Sequence, residues 1–403
     1  PEKGLAWFGV VLQFGRVFGT FLIIAYVLIC KTFKKMKYYT CASIFIKSFV
    51  FLIYCIDLFK GWTFCAMVIV SILIQGLCHS LIELFFHVWI NHFLFWNLFS
   101  LSISIGASPL SNIIGAYFLK NDSISCCSIK LFIFILVLDL IFCVTAYYYD
   151  CYHDDKYFNL SYSKVKEDKK EENYVCNKDR NDKFIKKMNY EYLKSKFSEK
   201  YDFFSIALSR AILKFSFFGI YALLKKYYYK LDGDGELNEF LIYFLPSIGL
   251  FIGAGLSFFN WFKKNETILI ISFLIGIFGT LACINNKKCF IISIFIFYVL
   301  ANLIIPSLIQ KSFDCFEDEQ LHEISYAFNY FIYLVIGNLL PSILNLNIEC
   351  TNSLMKFYLL IVWANVFLIL IYICKNKKEK KNSDTKERML DHSNSEVELE
   401  EYS

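Results

Sequence analysis

The apolar run 62–90 carries Gln75, His79, Glu83 and His87, each four residues after the last. On an α-helix that interval is about 400° of rotation, so the four side chains form one slowly drifting polar stripe roughly 18 Å long. Lipid cannot solvate such a stripe, and a carboxylate at that depth must hold a proton or sit against a base. His79 and Glu83 are the titratable pair on it, suited to taking up and releasing a proton. Two further intramembrane cations stand in the run 202–224: Arg210 and Lys214, again four apart and on one face, too deep for easy snorkelling. They are suited to attracting an anion. Arg16 lies in the first apolar run. The alternative for the stripe is a seam of helix–helix hydrogen bonds.

Helices in a membrane must position these groups. The chain has 403 residues, of which 57% are hydrophobic and 19% charged, with mean hydropathy +0.47. A soluble domain has about 25% charged residues. The net charge of +5 sits in a few loops, which excludes a nucleic-acid-binding surface. The 15 Cys are scattered in apolar runs without the paired spacing of a zinc site. In DGDGELNE (232–239), placing Asp232 and Asp234 third and fifth puts Lys230 and Leu241 where a calcium loop needs oxygen ligands. No metal and no cofactor is therefore expected.

About eleven spans are predicted: 5–30, 39–59, 62–90, 92–119, 129–149, 202–224, 239–262, 267–284, 289–310, 324–346 and 353–374. HVWINHF is read as the turn between the third and fourth. Lys31, Lys34, Lys35 and Lys37, the charged stretch 150–201 and the tail that opens KNKKEKK are placed in the cytoplasm by the positive-inside rule. Even numbers of spans separate them, so the three assignments agree. The expected organisation is a five-span bundle (1–149), a charged cytoplasmic linker (150–201), a six-span bundle (202–374) and a disordered cytoplasmic tail (375–403).

Five spans, a charged loop and six spans resemble the layout of the major facilitator superfamily of secondary transporters with its first helix lacking, as in an N-terminally incomplete chain. Residues 9–37 resemble the family's second helix and following basic loop, with Lys31, Thr32, Phe33, Lys34 and Lys35 in the loop and the family's acidic residue and glycine missing. Residues 75–119 resemble its fourth and fifth helices, with Gly106, Ala107, Ser108, Pro109 and Gly115 in the small-residue stretch. The resemblance implies an all-α polytopic membrane protein of two helical bundles. It also implies a substrate site at the interface between them, where helices broken or bent near the midplane converge. Pro109, Pro246, Pro306 and Pro341 fall within spans and suit bent helices.

Under that resemblance the stripe helix and the Arg210/Lys214 helix face each other across the interface, an acidic face toward a basic one. Arg210 is the expected base for Glu83. Tyr298 and Asn302 in the ninth span, Tyr326, Asn329, Tyr330 and Asn338 in the tenth, and Asn97, Ser100 and Ser104 in the fourth are further lining candidates. The expected substrate or coupling set is Arg16, Gln75, His79, Glu83, Arg210, Lys214, Asn302, Asn329 and Tyr330. The expected function is alternating-access transport of a small organic solute, anionic or zwitterionic, with protons as a coupling ion, in a lipid membrane and without an enzymatic reaction. The alternatives are an equilibrative nucleoside-type transporter, a membrane-embedded acyltransferase using His79 or His87 as base, and a transport-dead sensor on the same fold.

Overall fold

The computed structural model describes residues 2–30, 39–46, 61–93, single positions between 133 and 144, 195, 197, 200–232, 239–284, 286–316, 320–346 and 351–375. Among the described residues all regular secondary structure is helical. Helix α1 is Glu2–Cys30 and α2 is Gly61–Phe93. They are followed by α3 (Tyr201–Asp232), α4 (Glu239–Leu256), α5 (Asn265–Ala282), α6 (Lys287–Asp314) and α7 (Gln320–Leu334). A π-helical turn, Val335–Leu339, joins α7 to α8 (Leu340–Leu344), and α9 begins at Thr351–Leu360 and resumes through 362–375. Residues 39–46 are helical as well.

Eight of the predicted spans correspond to these helices. The second, 39–59, is described only at its start, and the fourth (92–119) and fifth (129–149) lie largely outside the described residues. One boundary is corrected: α2 runs unbroken through His87–Phe93, where a turn was expected. That stretch has no Gly or Pro to interrupt the backbone ladder, so the helix continues.

Among the described residues six helical stretches are long and apolar enough to cross a membrane, and Val68–Leu84 and Phe244–Leu256 are shorter apolar helices. Large apolar side chains such as Phe14, Phe18 and Phe21 on α1 and Ile270 and Phe273 on α5 are exposed. At the helical spacing of 14, 18 and 21 they form a greasy ridge that lipid, not water, accommodates. The interior is concentrated on α3, α6, α7 and α9. Residues 301–309 of α6 are buried without a break, as expected of a helix enclosed on all sides.

Small polar side chains stitch this interior. On the α3–α9 seam the Ser209 hydroxyl donates to Asn365 Oδ1, the Ser216 hydroxyl to the Tyr358 carbonyl, and the Ser205 hydroxyl to the Leu368 carbonyl at 3.4 Å. Tyr358 reaches Asn345 Oδ1 at 2.9 Å and so fixes α9 to the end of α8. At one membrane edge Lys375 pairs with Asp202 at 3.2 Å, joining the end of the ninth helix to the start of α3.

Candidate functional site

The site begins with a close approach of two backbones. A Cβ on Gly15 would lie 2.6 Å from the Leu73 carbonyl oxygen, one on Gly19 2.9 Å from that of Leu77, and one on Gly76 would collide with that of Leu12. Only glycine lets α1 and α2 meet so closely. At that spacing Ser80 Oγ donates to the Arg16 carbonyl at 2.6 Å, and Thr20 Oγ1 donates to the same oxygen at 3.0 Å. The Arg16 backbone is thereby fixed on the α2 face that carries the polar stripe.

The Arg16 guanidinium forms an ion pair with the Glu83 carboxylate, and His79 Nε2 stands 3.3 Å from the same carboxylate oxygen. Arg16 Nη1 donates to Gln13 Oε1 at 3.4 Å, and Arg16 Nη2 to the Tyr330 hydroxyl at 3.3 Å. With the Asn338 amide oriented to satisfy both its groups, its oxygen accepts from Arg16 Nη1 at 3.2 Å. The paired side chains of Arg16 and Glu83 are 12% and 21% exposed. Their interaction therefore falls between the surface case of about 0–1 kcal/mol and the roughly 3–5 kcal/mol lost when one partner of a fully buried pair is removed.

Two features of α7 and the π turn after it bring Tyr330 and Asn338 to the same guanidinium. Tyr326, Tyr330 and Tyr333 share one face of α7, with near-parallel rings whose centroids are 6.4 and 5.8 Å apart in sequence order. The π turn then inserts one residue into the helix. Asn338 takes the register that residue 337 would have in an unbroken helix, seven residues on from Tyr330 and on the same face. Gly337 turns instead toward α3, where a Cβ would stand 2.7 Å from Lys214 Cβ.

On the α3 side, Arg210 is buried and its Nη1 donates to Asn329 Oδ1 at 2.7 Å. Asn329 Nδ2 in turn donates to Ser312 Oγ at 3.1 Å. The Arg210 guanidinium lies 4.5 Å from the Tyr333 ring centroid and 5.8 Å from that of Tyr326. Lys214 Nζ lies 4.6 Å from the Phe217 ring, 5.2 Å from Tyr333 and 5.9 Å from Phe218. Cation–π contacts of this kind contribute about 0.5–2 kcal/mol each.

The structure thus brings Arg16, His79, Glu83 and Tyr330 together, and places Arg210, Lys214 and Asn329 behind the tyrosine row. It corrects the expected pairing, because the base on Glu83 is Arg16 of the neighbouring helix and not Arg210. The glycine seam explains this: it puts Arg16 within reach of Glu83, whereas Tyr326 and Tyr333 lie against Arg210. Gln75 is half-buried and makes no side-chain hydrogen bond among the described residues. Asn302 Nδ2 donates to the Leu250 carbonyl at 2.6 Å on the α4–α6 seam, and Tyr298 donates to the Phe217 carbonyl at 2.8 Å. Both are ties between helices in this structure. The His87 side chain and residues Asn97, Ser100 and Ser104 lie outside what is described. Gln13 and Tyr333 were not anticipated, although Tyr333 completes a spacing of four and three with Tyr326 and Tyr330.

No protein-family model matches this sequence, and no curated protein matches it. Solved structures do resemble it. A crystal structure of a variant of the E. coli fucose:proton symporter FucP superposes with a TM-score of 0.57 at 11% identity, covering 92% of this chain and 92% of that one. A crystal structure of FucP, a major facilitator superfamily transporter, in the outward conformation gives a TM-score of 0.58 at 11% identity over 90% of this chain and 88% of that one. With its helical described residues and apolar spans, the chain is an integral, multi-pass membrane protein with a two-bundle, major-facilitator-like fold.

Proposed function

We propose that this protein is a secondary transporter that moves a small organic solute by alternating access, with Glu83 as its proton-carrying group. The carrying observation is the Arg16–Glu83 pair between α1 and α2 with Tyr330 of α7 and Asn338 of the π turn on the same guanidinium. A carboxylate in this position has two states, paired with Arg16 or protonated, and separation of the bundles changes which is favoured. The resemblance to a fucose:proton symporter supports proton coupling. Arg210 and Lys214, with no carboxylate partner among the described residues, favour a solute that is anionic or zwitterionic over a neutral one. The bundles are 1–149 and 202–374, joined by a cytoplasmic linker at 150–201, with a cytoplasmic tail from 375.

Proteoliposomes containing the full chain and a lumenal pH dye test the transport reading. Monocarboxylates, dicarboxylates, amino acids and L-fucose are added outside in turn. An anion or zwitterion is expected to change the lumenal pH, and glutamine at Glu83 is expected to abolish that change. A change given by L-fucose alone would overturn the charge preference, and one that persists with glutamine at Glu83 would remove Glu83 from coupling.

The topology has its own check. An epitope fused after Ser403 is expected to be unreachable by antibody in intact cells and reachable after permeabilisation, as the basic stretch after Cys374 requires. Staining without permeabilisation would invert the arrangement.

A further inference from the structure

The described intramembrane charges do not balance. Arg16 and Glu83 neutralise each other, and His79 stands against that same carboxylate. Arg210 and Lys214 remain. Arg210 is 3% exposed, its hydrogen-bond partners among the described residues, Asn329 and the Tyr326 hydroxyl, are neutral, and its Nε has none there. Lys214 Nζ meets three ring faces and no oxygen acceptor among the described residues. Ring faces return only part of the hydration that two cations lose on burial. The two cations are one helical turn apart, with Cβ atoms about 5–6 Å from each other, and share the Tyr333 ring. They differ in kind: the arginine fork suits a planar carboxylate taken in two hydrogen bonds, and the lysine is a point charge.

We infer that the solute is a small dicarboxylate, with one carboxylate on the Arg210 guanidinium and the other on Lys214 Nζ. This deepens the transporter reading and rests on it. Lys214 is the entry end, because it is half-buried while Arg210 is enclosed. Tyr326, Tyr333, Phe217 and Phe218 form the walls that keep water from the paired charges. Asn329, held by Ser312, orients the guanidinium and is a positioning residue.

The test is equilibrium binding to the purified full chain in nanodiscs, read by ligand-induced thermal stabilisation across a titration. The probes are succinate, propionate, inorganic phosphate and L-fucose. Succinate is expected to bind at least about tenfold more tightly than propionate, the low end of one charge-assisted hydrogen bond. Lys214→Gln is expected to erase that preference while propionate binding survives. Lys214→Arg, which keeps the charge, is expected to retain the preference and shows that the position tolerates substitution. Arg210→Gln is expected to weaken both acids at least tenfold.

Equal binding of succinate and propionate, or a succinate preference that survives Lys214→Gln, overturns the inference. Phosphate binding without succinate binding overturns it in favour of another dianion. Binding of L-fucose alone, or silence from all four probes, also overturns it. None of these readouts uses a pH gradient. A neutral solute carried with protons would keep the transporter reading and sink only this one.

Discussion

Replacing Glu83 with glutamine is expected to abolish uptake driven by a pH gradient while solute exchange across the membrane continues. Glutamine keeps the shape of the side chain and can still accept from Arg16, so the α1–α2 contact and the tie to Tyr330 persist in weakened form. It cannot gain or lose a proton. If the Arg16–Glu83 pair opens during the transport cycle, the carboxylate left behind in a low-dielectric interior binds a proton, and its release on the other side couples the fluxes. The competing role is a permanent brace between helices. A brace predicts that driven uptake and exchange fall together, with a lowered melting temperature.

Arg16→Gln separates the two roles further. It strands a carboxylate and is expected to cost about 2–4 kcal/mol of stability, between the surface and buried cases. The double substitution Arg16→Gln with Glu83→Gln removes the stranded charge and should recover a large part of that loss. Gradient-driven uptake that persists in Glu83→Gln would end the coupling role. A double variant whose loss equals the sum of the two single-variant losses would show that the pair carries no mutual energy.

How much of this was legible in the sequence depends on the range of the interaction. The polar stripe was readable because Gln75, His79, Glu83 and His87 lie on one helix, where spacing alone fixes the face. So was the pairing of Arg210 with Lys214 on one face. The partner of Glu83 was not, because Arg16 lies 67 residues away and the contact depends on how closely two helices approach. The information was present in Gly15, Gly19 and Gly76, but a glycine in a membrane helix has the same appearance whether it faces lipid or a backbone carbonyl. A Cβ added at Gly9 or Gly255, by contrast, would meet nothing within 4 Å. The π turn at Val335–Leu339 was also hidden. Pro341 signalled a disturbance but not an inserted residue, and it is the insertion that turns Asn338 toward Arg16 and Gly337 toward Lys214. For the stretch 92–119, sequence remains the guide to its span and its lining residues.

A strong structural dependence is expected at Gly76. Substitution by valine there would drive a branched side chain into the Leu12 carbonyl, with Gly15 Cα and the Arg16 nitrogen each 3.2 Å from the Cβ position. All three obstacles are backbone, so no rotamer change relieves them, and α1 must move away from α2. Overpacking of this kind costs about 1–3 kcal/mol and more where the backbone cannot yield. The displacement also acts on the charged cluster. The Ser80 bond to the Arg16 carbonyl at 2.6 Å is among the contacts that open first, and Glu83 then loses its base. Gly76→Val is therefore expected to lower the melting temperature and to reduce solute exchange, whereas Glu83→Gln spares exchange. Gly253→Val is expected to destabilise similarly, because its Cβ would collide with the Val299 carbonyl, but away from Arg16. Gly9→Ala is the internal comparison: with open space around it, removal of backbone freedom should leave stability unchanged or raise it by up to about 1 kcal/mol. Melting curves of the three variants decide the matter. If Gly76→Val melts with the unsubstituted protein, the close approach of α1 and α2 does not hold, and with it goes the geometry that pairs Arg16 with Glu83.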